Sequence, residues 1–530
     1  MKKHNIIKVV LITLLVVMVL SWIFPAAYYS GQYQEQGRMQ MGLFDLFNYP
    51  LVAFQYFGSI TAFIILVGGF YGILYKIPAY RVLLDKIAGL FEGKEKIGLS
   101  IIVVLMALLV SICGTHISLA LFIPFIVAII LLMGYDKIVA ALSVVGGICA
   151  GLIGTTYASE NLNVLTQSLS LKFGYQAGVR FLLLLVAVIV VLFNIFMYIK
   201  ATSKGVKIRQ TARKVAEEVE EKVEKVAEVA AKKTTTKKTT KKSTSKKSTK
   251  KSKSKNNNKA ALKDNDVIVA AANMVEDTKL VPKPELKKHS VWPMALCLGL
   301  LFVLFVLAFV SWGDTGFKVK IFTDATNGVM KAEIFKFPLF AKILGTVGAF
   351  GTWVLTDMIF PMFLVVVLLM IVYKVSIDDA FDGFVAGAKK ALAPAVVSIL
   401  VYSVLVATTY HPFQLVLYKA ILGWSKGFNI VTTSLVAVLA SVFNVDIAYT
   451  FNSVLPYYVA TVTKLDKSLV GMIFQSMYGL TMLVAPTSLV LMGTLAYLNV
   501  SYKDWLKNAW KLIVELLVIL LIVFIIIAAM

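Results

Sequence analysis

The chain has 530 residues, of which 59% are hydrophobic and only 15% charged, and its mean hydropathy is +0.81. Soluble domains carry about 25% charged residues, so the composition excludes a soluble enzyme with a single anchor and indicates a polytopic membrane protein. The formal charge of +24 is not that of a nucleic-acid binder: residues 200–288 hold 26 Lys and Arg against 11 Asp and Glu, a net of +15 concentrated between two apolar halves. Cys113, Cys149 and Cys297 lie in apolar runs and give neither zinc spacing nor a disulfide framework.

Lys2, Lys3 and Lys8 precede an apolar run from Val9 to about Ala27. That run exceeds the roughly 7–15 residues of a signal-peptide core, so it reads as a retained first transmembrane helix with its N-terminus in the cytoplasm. Further apolar spans are predicted near 58–75, 97–133, 138–158 and 175–199, then near 291–312, 345–373, 393–411, 429–463, 468–498 and 505–529. About 20 residues cross a bilayer as a helix. The runs 97–133 and 429–463 are too long for one helix and have polar middles, Cys113-Gly114-Thr115-His116 and Asn444-Val445-Asp446. Each suits a re-entrant hairpin, whose irregular tip is tolerated only in protein or against water.

Between the halves, 207–231 follows the 3–4 spacing of an amphipathic helix through Ile208, Ala212, Val215, Val219, Val223, Val226 and Ala230. Residues 232–259 are Lys, Thr, Ser and Asn with no apolar residue, a composition that predicts disorder. This cytoplasmic linker either touches anionic lipid, at about 1 kcal/mol per basic residue near the surface, or is a passive spacer. Nucleic acid is the least favoured partner, because the tract has no aromatic residue for base stacking. The domains are therefore an N-terminal transmembrane repeat (1–199), a basic linker (200–288) and a C-terminal transmembrane repeat (289–530).

The halves read as diverged copies. Leu74-Tyr75-Lys76-Ile77 matches Val372-Tyr373-Lys374-Val375, and Gly134-Tyr135-Asp136-Lys137 matches Lys464-Leu465-Asp466-Lys467. The helix after each Asp-Lys pair breaks, at Gly154-Thr155-Thr156 and at Ala485-Pro486-Thr487-Ser488. On this alignment 393–411 is one extra crossing, which inverts the second hairpin relative to the first. The expected fold is all-α and polytopic, with two inverted repeats, re-entrant hairpins and broken helices.

A broken helix offers N–H groups to an anion and C=O groups to a cation. Thr155, Thr156, Ser159 and Asn161 in the first half, with Asn452, Ser453, Thr487 and Ser488 in the second, have the short polar side chains that complete such a site; the competing reading is ordinary helix packing. Asp357 is predicted near the bilayer middle, where an ionisable group is costly and usually functional. Glu160 and Asp446 sit at breaks, His116 at a hairpin tip, and Gln475 mid-helix. Gly68-Gly69 and Gly146-Gly147 read as close helix packing, since no strand precedes them as a nucleotide loop requires. No Ser/His/Asp, metal or paired-carboxylate arrangement suggests an enzyme or a cofactor. Na⁺ or H⁺ is the expected coupling ion, with Na⁺ at the helix breaks.

The strings Ser21-Trp22-Ile23-Phe24-Pro25-Ala26, Val67-Gly68-Gly69-Phe70-Tyr71-Gly72-Ile73-Leu74, Met133-Gly134-Tyr135-Asp136-Lys137-Ile138-Val139 and Ala485-Pro486-Thr487-Ser488 with Tyr502-Lys503-Asp504-Trp505 resemble the YfcC-like branch of the anaerobic C4-dicarboxylate carrier family, in the ion transporter superfamily. The resemblance covers most of 6–200 and 345–529. It implies an ion-coupled secondary carrier of a small organic anion, dicarboxylate or amino acid, working by symport or antiport in a bacterial plasma membrane. Relatives in the superfamily often dimerise; no segment here marks a dimer face. The chain departs from the family at the first tip, Gly114-Thr115-His116-Ile117-Ser118, which lacks the usual carboxylates. It also has Thr155-Thr156-Tyr157 for the usual Asn-Pro-Phe. The alternative is a non-transporting scaffold that reuses the carrier fold, with the linker binding anionic lipid or nucleic acid.

Overall fold

The computed structural model describes residues 5–114, 116–203, 280–282, 290–313, 316–334, 337–345, 347–425 and 427–529, without the side chains of 159, 160 and 344. The amphipathic segment 207–231 and the tract 232–259 lie outside the described residues. What is described is almost wholly helical, and eight of its helices are long and apolar enough to cross a membrane.

The first half runs α1 (Asn5–Ile23), a β-hairpin of β1 (Ala27–Tyr29) and β2 (Tyr33–Glu35), α2 (Leu43–Leu74), the short α3 (Pro78–Gly89), α4 (Glu95–Cys113), α5 (Ile123–Leu132), α6 (Lys137–Ile153), α7 (Ser159–Leu169) and α8 (Ala177–Ala201). The second half opens with α9 (Trp292–Phe309), α10 (Ile321–Lys331) and α11 (Leu339–Leu344). It continues through α12 (Ile359–Tyr373), α13 (Ile377–Tyr410), α14 (Gln414–Leu422), α15 (Ile430–Phe443), α16 (Ile447–Thr461), α17 (Lys467–Thr481), α18 (Leu489–Leu498) and α19 (Tyr502–Ala529).

The repeat is visible element by element. A long helix, a short helix, a two-armed hairpin, a broken helix and a final helix follow one another twice: α2 to α8, and α13 to α19. Its local causes recur too. Asp136 caps α6 by accepting from Val139 N at 2.9 Å, and Asp466 caps α17 by accepting from Leu469 N at 3.1 Å. Such a cap satisfies one orphan N–H of the first turn. Gly134 and Lys464, two residues before each cap, both have positive φ (85° and 56°). The half-helices α7 and α18 both end on left-handed residues, Ser170 and Asn499, each at φ 55°.

Two expectations are corrected. Residues 393–411 are not a separate span but the second part of the unbroken α13, and 58–75 is likewise only the second part of α2. The counterpart of α2 is therefore α13, so Leu74–Ile77 does not correspond to Val372–Val375, and the repeat is offset by one helix. The crossing without a counterpart is α9.

Helix α13 is the most enclosed: 78% of its apolar stretch is buried, against 28% in α1, 28% in α9 and 22% in α19. The large apolar residues exposed on these outer helices are Leu, Ile, Val and Trp, the chemistry that lipid requires. Helices α2 and α13 cross on glycine. Gly68 and Gly72 face Gly383, Gly387 and Ala391, small residues spaced four apart, so the backbones approach closely. The packing role expected for Gly68-Gly69 is the observed one. Thr61 and Ser398 hydrogen-bond across the same interface at 2.8 Å.

Candidate functional site

The first break spans 154–158, between α6 and α7. Its backbone is held by Ser111, two residues before the end of the hairpin arm α4. The Ser111 hydroxyl donates to Gly154 O at 2.7 Å and lies 2.9 Å from Thr156 Oγ1. Thr156 N donates to Ser111 O at 2.9 Å. The second break spans 482–488, and there the Thr487 hydroxyl donates to Val442 O, on the hairpin arm α15, at 2.5 Å. Ser111 to Thr156 and Val442 to Thr487 are the same 45 residues apart. Each hairpin is thus pinned to the break of its own repeat. Ser488 adds the cap of α18, accepting from Leu491 N at 3.3 Å.

The two breaks differ in what reaches them. At the second, the first turn of α19 supplies Tyr502, whose hydroxyl donates to Val484 O at 2.5 Å, and Trp505, whose indole donates to Leu483 O at 2.9 Å. At the first, Thr155 is a hub. Its hydroxyl donates back to Gly151 O and Leu152 O, both at 3.1 Å. Gln475, from α17 of the other repeat, donates through Nε2 to Leu152 O at 2.9 Å and to Thr155 Oγ1 at 3.1 Å. Its neighbour Ser476 donates to Ile153 O at 3.0 Å. Arg180, from the first turn of α8, donates through Nη1 to Thr155 O at 3.1 Å and stacks 4.3 Å from the Tyr175 ring centroid.

Most buried polar groups in proteins find a partner. Around the first break several do not: Gln475 Oε1, Tyr175 OH, Arg180 Nε and Nη2, and both amide atoms of Asn161 have none among the described residues. Each such group costs about 1–3 kcal/mol when left dry, more if charged, and their concentration at this backbone break makes it the candidate site.

A second polar feature lies at the other hairpin. A cavity of about 370 Å³ is lined by Thr408, Gln414, Tyr418, Asn444, Asn452 and Ser453. The β-hairpin covers it: Tyr29 and Tyr33 pack on Tyr457 with ring centroids 5.8 and 5.6 Å apart, and Lys419 Nζ sits 3.9 Å from the Tyr33 ring centroid.

The candidates from the sequence therefore separate. Thr155, Thr156 and Gln475 meet at the first break, with Asn161 in the following first turn of α7. Thr487 and Ser488 hold the second break, and Asn452 and Ser453 line the cavity. Asp446 is the half-buried cap of α16, accepting from Tyr449 N at 2.9 Å. His116 is buried at the first hairpin tip, in the wall of a mostly apolar cavity of about 80 Å³, and its Nδ1 has no partner among the described residues. The side chains of Ser159 and Glu160 lie outside the described set. Asp357 is corrected: it is exposed just before α12, where its carboxylate accepts from Val354 N at 2.8 Å, and it is not at mid-span. Two groups escaped sequence reasoning, Ser111 and Arg180. An arginine at the start of a predicted span looks interfacial, and only the fold turns it inward.

A search of curated proteins finds no match. The family model described as DcuC, C4-dicarboxylate anaerobic carrier, matches residues 4–248 and 274–529, and the stretch between the two matches, 249–273, lies in the basic linker. This chain, a multi-pass protein with two related halves, belongs to that carrier family.

Proposed function

We propose that the chain is an ion-coupled secondary active transporter that moves a C4-dicarboxylate by alternating access. The observation that carries this reading is the pair of helix breaks, each held to its own hairpin by a threonine 45 residues further along. Between the hairpins the chain crosses through the broken helix α6–α7, α8, α9, α12 and α13. That is an odd number, so the hairpins enter from opposite sides. Opposed hairpins around a midplane site are the arrangement in which one bundle rocks against another. The basic linker belongs on the cytoplasmic side by the positive-inside rule, together with the N-terminus. The family favours a dicarboxylate over an amino acid as substrate. A dianion is too costly to carry alone in a low-dielectric site, so a cation travels with or against it.

The test is uptake of radiolabelled succinate into proteoliposomes under an imposed Na⁺ gradient or pH gradient. The expected result is saturable uptake that one gradient drives and its dissipation abolishes. Uptake indifferent to both gradients removes ion coupling, and no uptake under any gradient removes the carrier reading.

A further inference from the structure

Among the buried described residues, Arg180 is the one side chain that carries a full charge at neutral pH; the others are neutral polar groups and two histidines. It is 1% exposed and forms no ion pair among the described residues. A charge removed from water without a counter-charge is strongly unfavourable. One bond to Thr155 O and the face of Tyr175 do not supply that counter-charge.

The geometry of what is left over is specific. A guanidinium has five N–H donors in a fixed plane. The Nη1 corner is used on the Thr155 carbonyl, and the unpartnered atoms are Nε and Nη2. These two share the side-on edge of the guanidinium, whose parallel N–H groups match the two oxygens of one carboxylate. The repeat provides an internal comparison. Arg180 is the fourth residue of α8, and Trp505 is the fourth residue of α19. Both reach a carbonyl of the break before them, Thr155 O and Leu483 O. The indole has one donor, which that bond uses up, and no charge. Holding a break together thus needs no arginine.

We propose that Arg180 is the anion anchor of the carrier, taking one carboxylate of the substrate on its Nε–Nη2 edge at the first helix break, and that the second break, with Trp505 in the matching place, binds no carboxylate. This rests on the carrier reading above. One guanidinium neutralises one carboxylate, which leaves the second carboxylate of a dianion to be balanced by the coupling cation.

The experiment compares wild type with Arg180→Lys and Arg180→Gln in proteoliposomes and in detergent, with succinate as the probe. It reads KM and kcat for uptake and the rise in melting temperature that succinate induces. Arg180→Lys keeps the charge and a donor for Thr155 but loses the side-on pair. It is expected to raise KM about tenfold or more with kcat much less affected, and to melt near wild type without ligand. Arg180→Gln is expected to lose about a hundredfold in affinity, together with the succinate-induced stabilisation. A wild-type KM in either variant overturns the proposal and leaves Arg180 as a positioning residue for Thr155. If Arg180→Gln does not fold, Arg180→Lys decides alone. Wild-type protein that neither transports nor is stabilised by succinate instead overturns the carrier reading, and this assignment with it.

Discussion

Gly387 of α13 and Gly68 of α2 meet backbone to backbone: a Cβ on Gly387 stands 2.0 Å from the Gly68 carbonyl oxygen. Real Cβ atoms do not come that close, and the obstacle is backbone, which cannot rotate away. Gly72 meets Gly383 in the same way, with a Cβ 2.0 Å from its carbonyl oxygen. The two helices are counterparts in the two repeats, so this contact joins the halves. Gly387→Leu is expected to separate them and to give a protein that elutes as aggregate in fluorescence-detected size exclusion. Gly299, on α9, has nothing within 4 Å of its Cβ position. Gly299→Leu is expected to elute and melt like wild type, which shows that the damage comes from the crossing and not from added bulk.

Ser111 carries the first break through one hydroxyl, which donates to Gly154 O and lies beside Thr156 Oγ1. Ser111→Ala leaves the backbone bond from Thr156 N to Ser111 O but strands the Gly154 carbonyl. A buried group left unpaired costs about 1–3 kcal/mol. The expected outcome is a folded protein with a lower melting temperature and succinate uptake reduced about tenfold, since 1.4 kcal/mol is a factor of ten. Ser111→Thr keeps the hydroxyl and is expected to recover most of the uptake. Equal uptake in wild type and Ser111→Ala excludes a working role for this break.

The cavity beneath the β-hairpin makes a prediction about access. Asn452 and Ser453 line it, and the proposed topology puts it on the side opposite the linker. Asn452→Cys, introduced with Cys113, Cys149 and Cys297 replaced, is expected to react with a membrane-impermeant maleimide added to intact cells. Removing the Tyr457 ring, against which Tyr29 and Tyr33 pack, is expected to accelerate that reaction. Labelling only after the membrane is opened places the cavity on the linker side and reverses the topology.

How much of this was legible in the sequence follows from which forces are local. The caps Asp136 and Asp466 are local chemistry, and so are the polar middles of the two hairpins and the helix breaks. The hairpin middles and the breaks are legible in the sequence, whereas the Asp-Lys pairs read there only as matching strings, and it is the structure that shows the two Asp as caps. The continuity of α13 was hidden because Lys389, Lys390 and Pro394 interrupt the apolar run. In the fold, Lys390 Nζ rests 4.6 Å from the Tyr75 ring centroid and Pro394 stays within the helix, so the interruption is absorbed by α2 and its neighbourhood. Arg180 was hidden for the opposite reason. Nothing near it in sequence says that it turns toward a break 25 residues earlier.

Asp357 tests the correction directly. Its carboxylate satisfies Val354 N at the entry to α12 and is exposed. Asp357→Asn retains an acceptor and is expected to leave uptake unchanged; Asp357→Ala should cost only about 0.5–2 kcal/mol of stability, the worth of a helix cap. Loss of transport in the correctly folded Asn variant returns this residue to the pathway.

Gln475 gives the sharpest consequence of the polar node, because it and Arg180 both bond to Thr155, one from each repeat. Its Oε1 is buried and unpartnered. Gln475→Glu replaces a neutral amide by a carboxylate of nearly the same shape and removes the Nε2 donor. If the guanidinium edge is open for an anion, the new carboxylate supplies one within the protein. Two opposite effects should then appear together. The protein without substrate melts higher, because a buried uncompensated charge has gained a partner. Succinate binds about tenfold or more weakly, because the second anion must displace the first or share the site with a like charge. A general disturbance of packing gives a lower melting temperature along with the weaker binding, so the sign of the melting shift separates the two causes. Measured beside Gln475→Leu, which removes the amide without adding charge, the pair assigns the effect to charge at the first break or to shape.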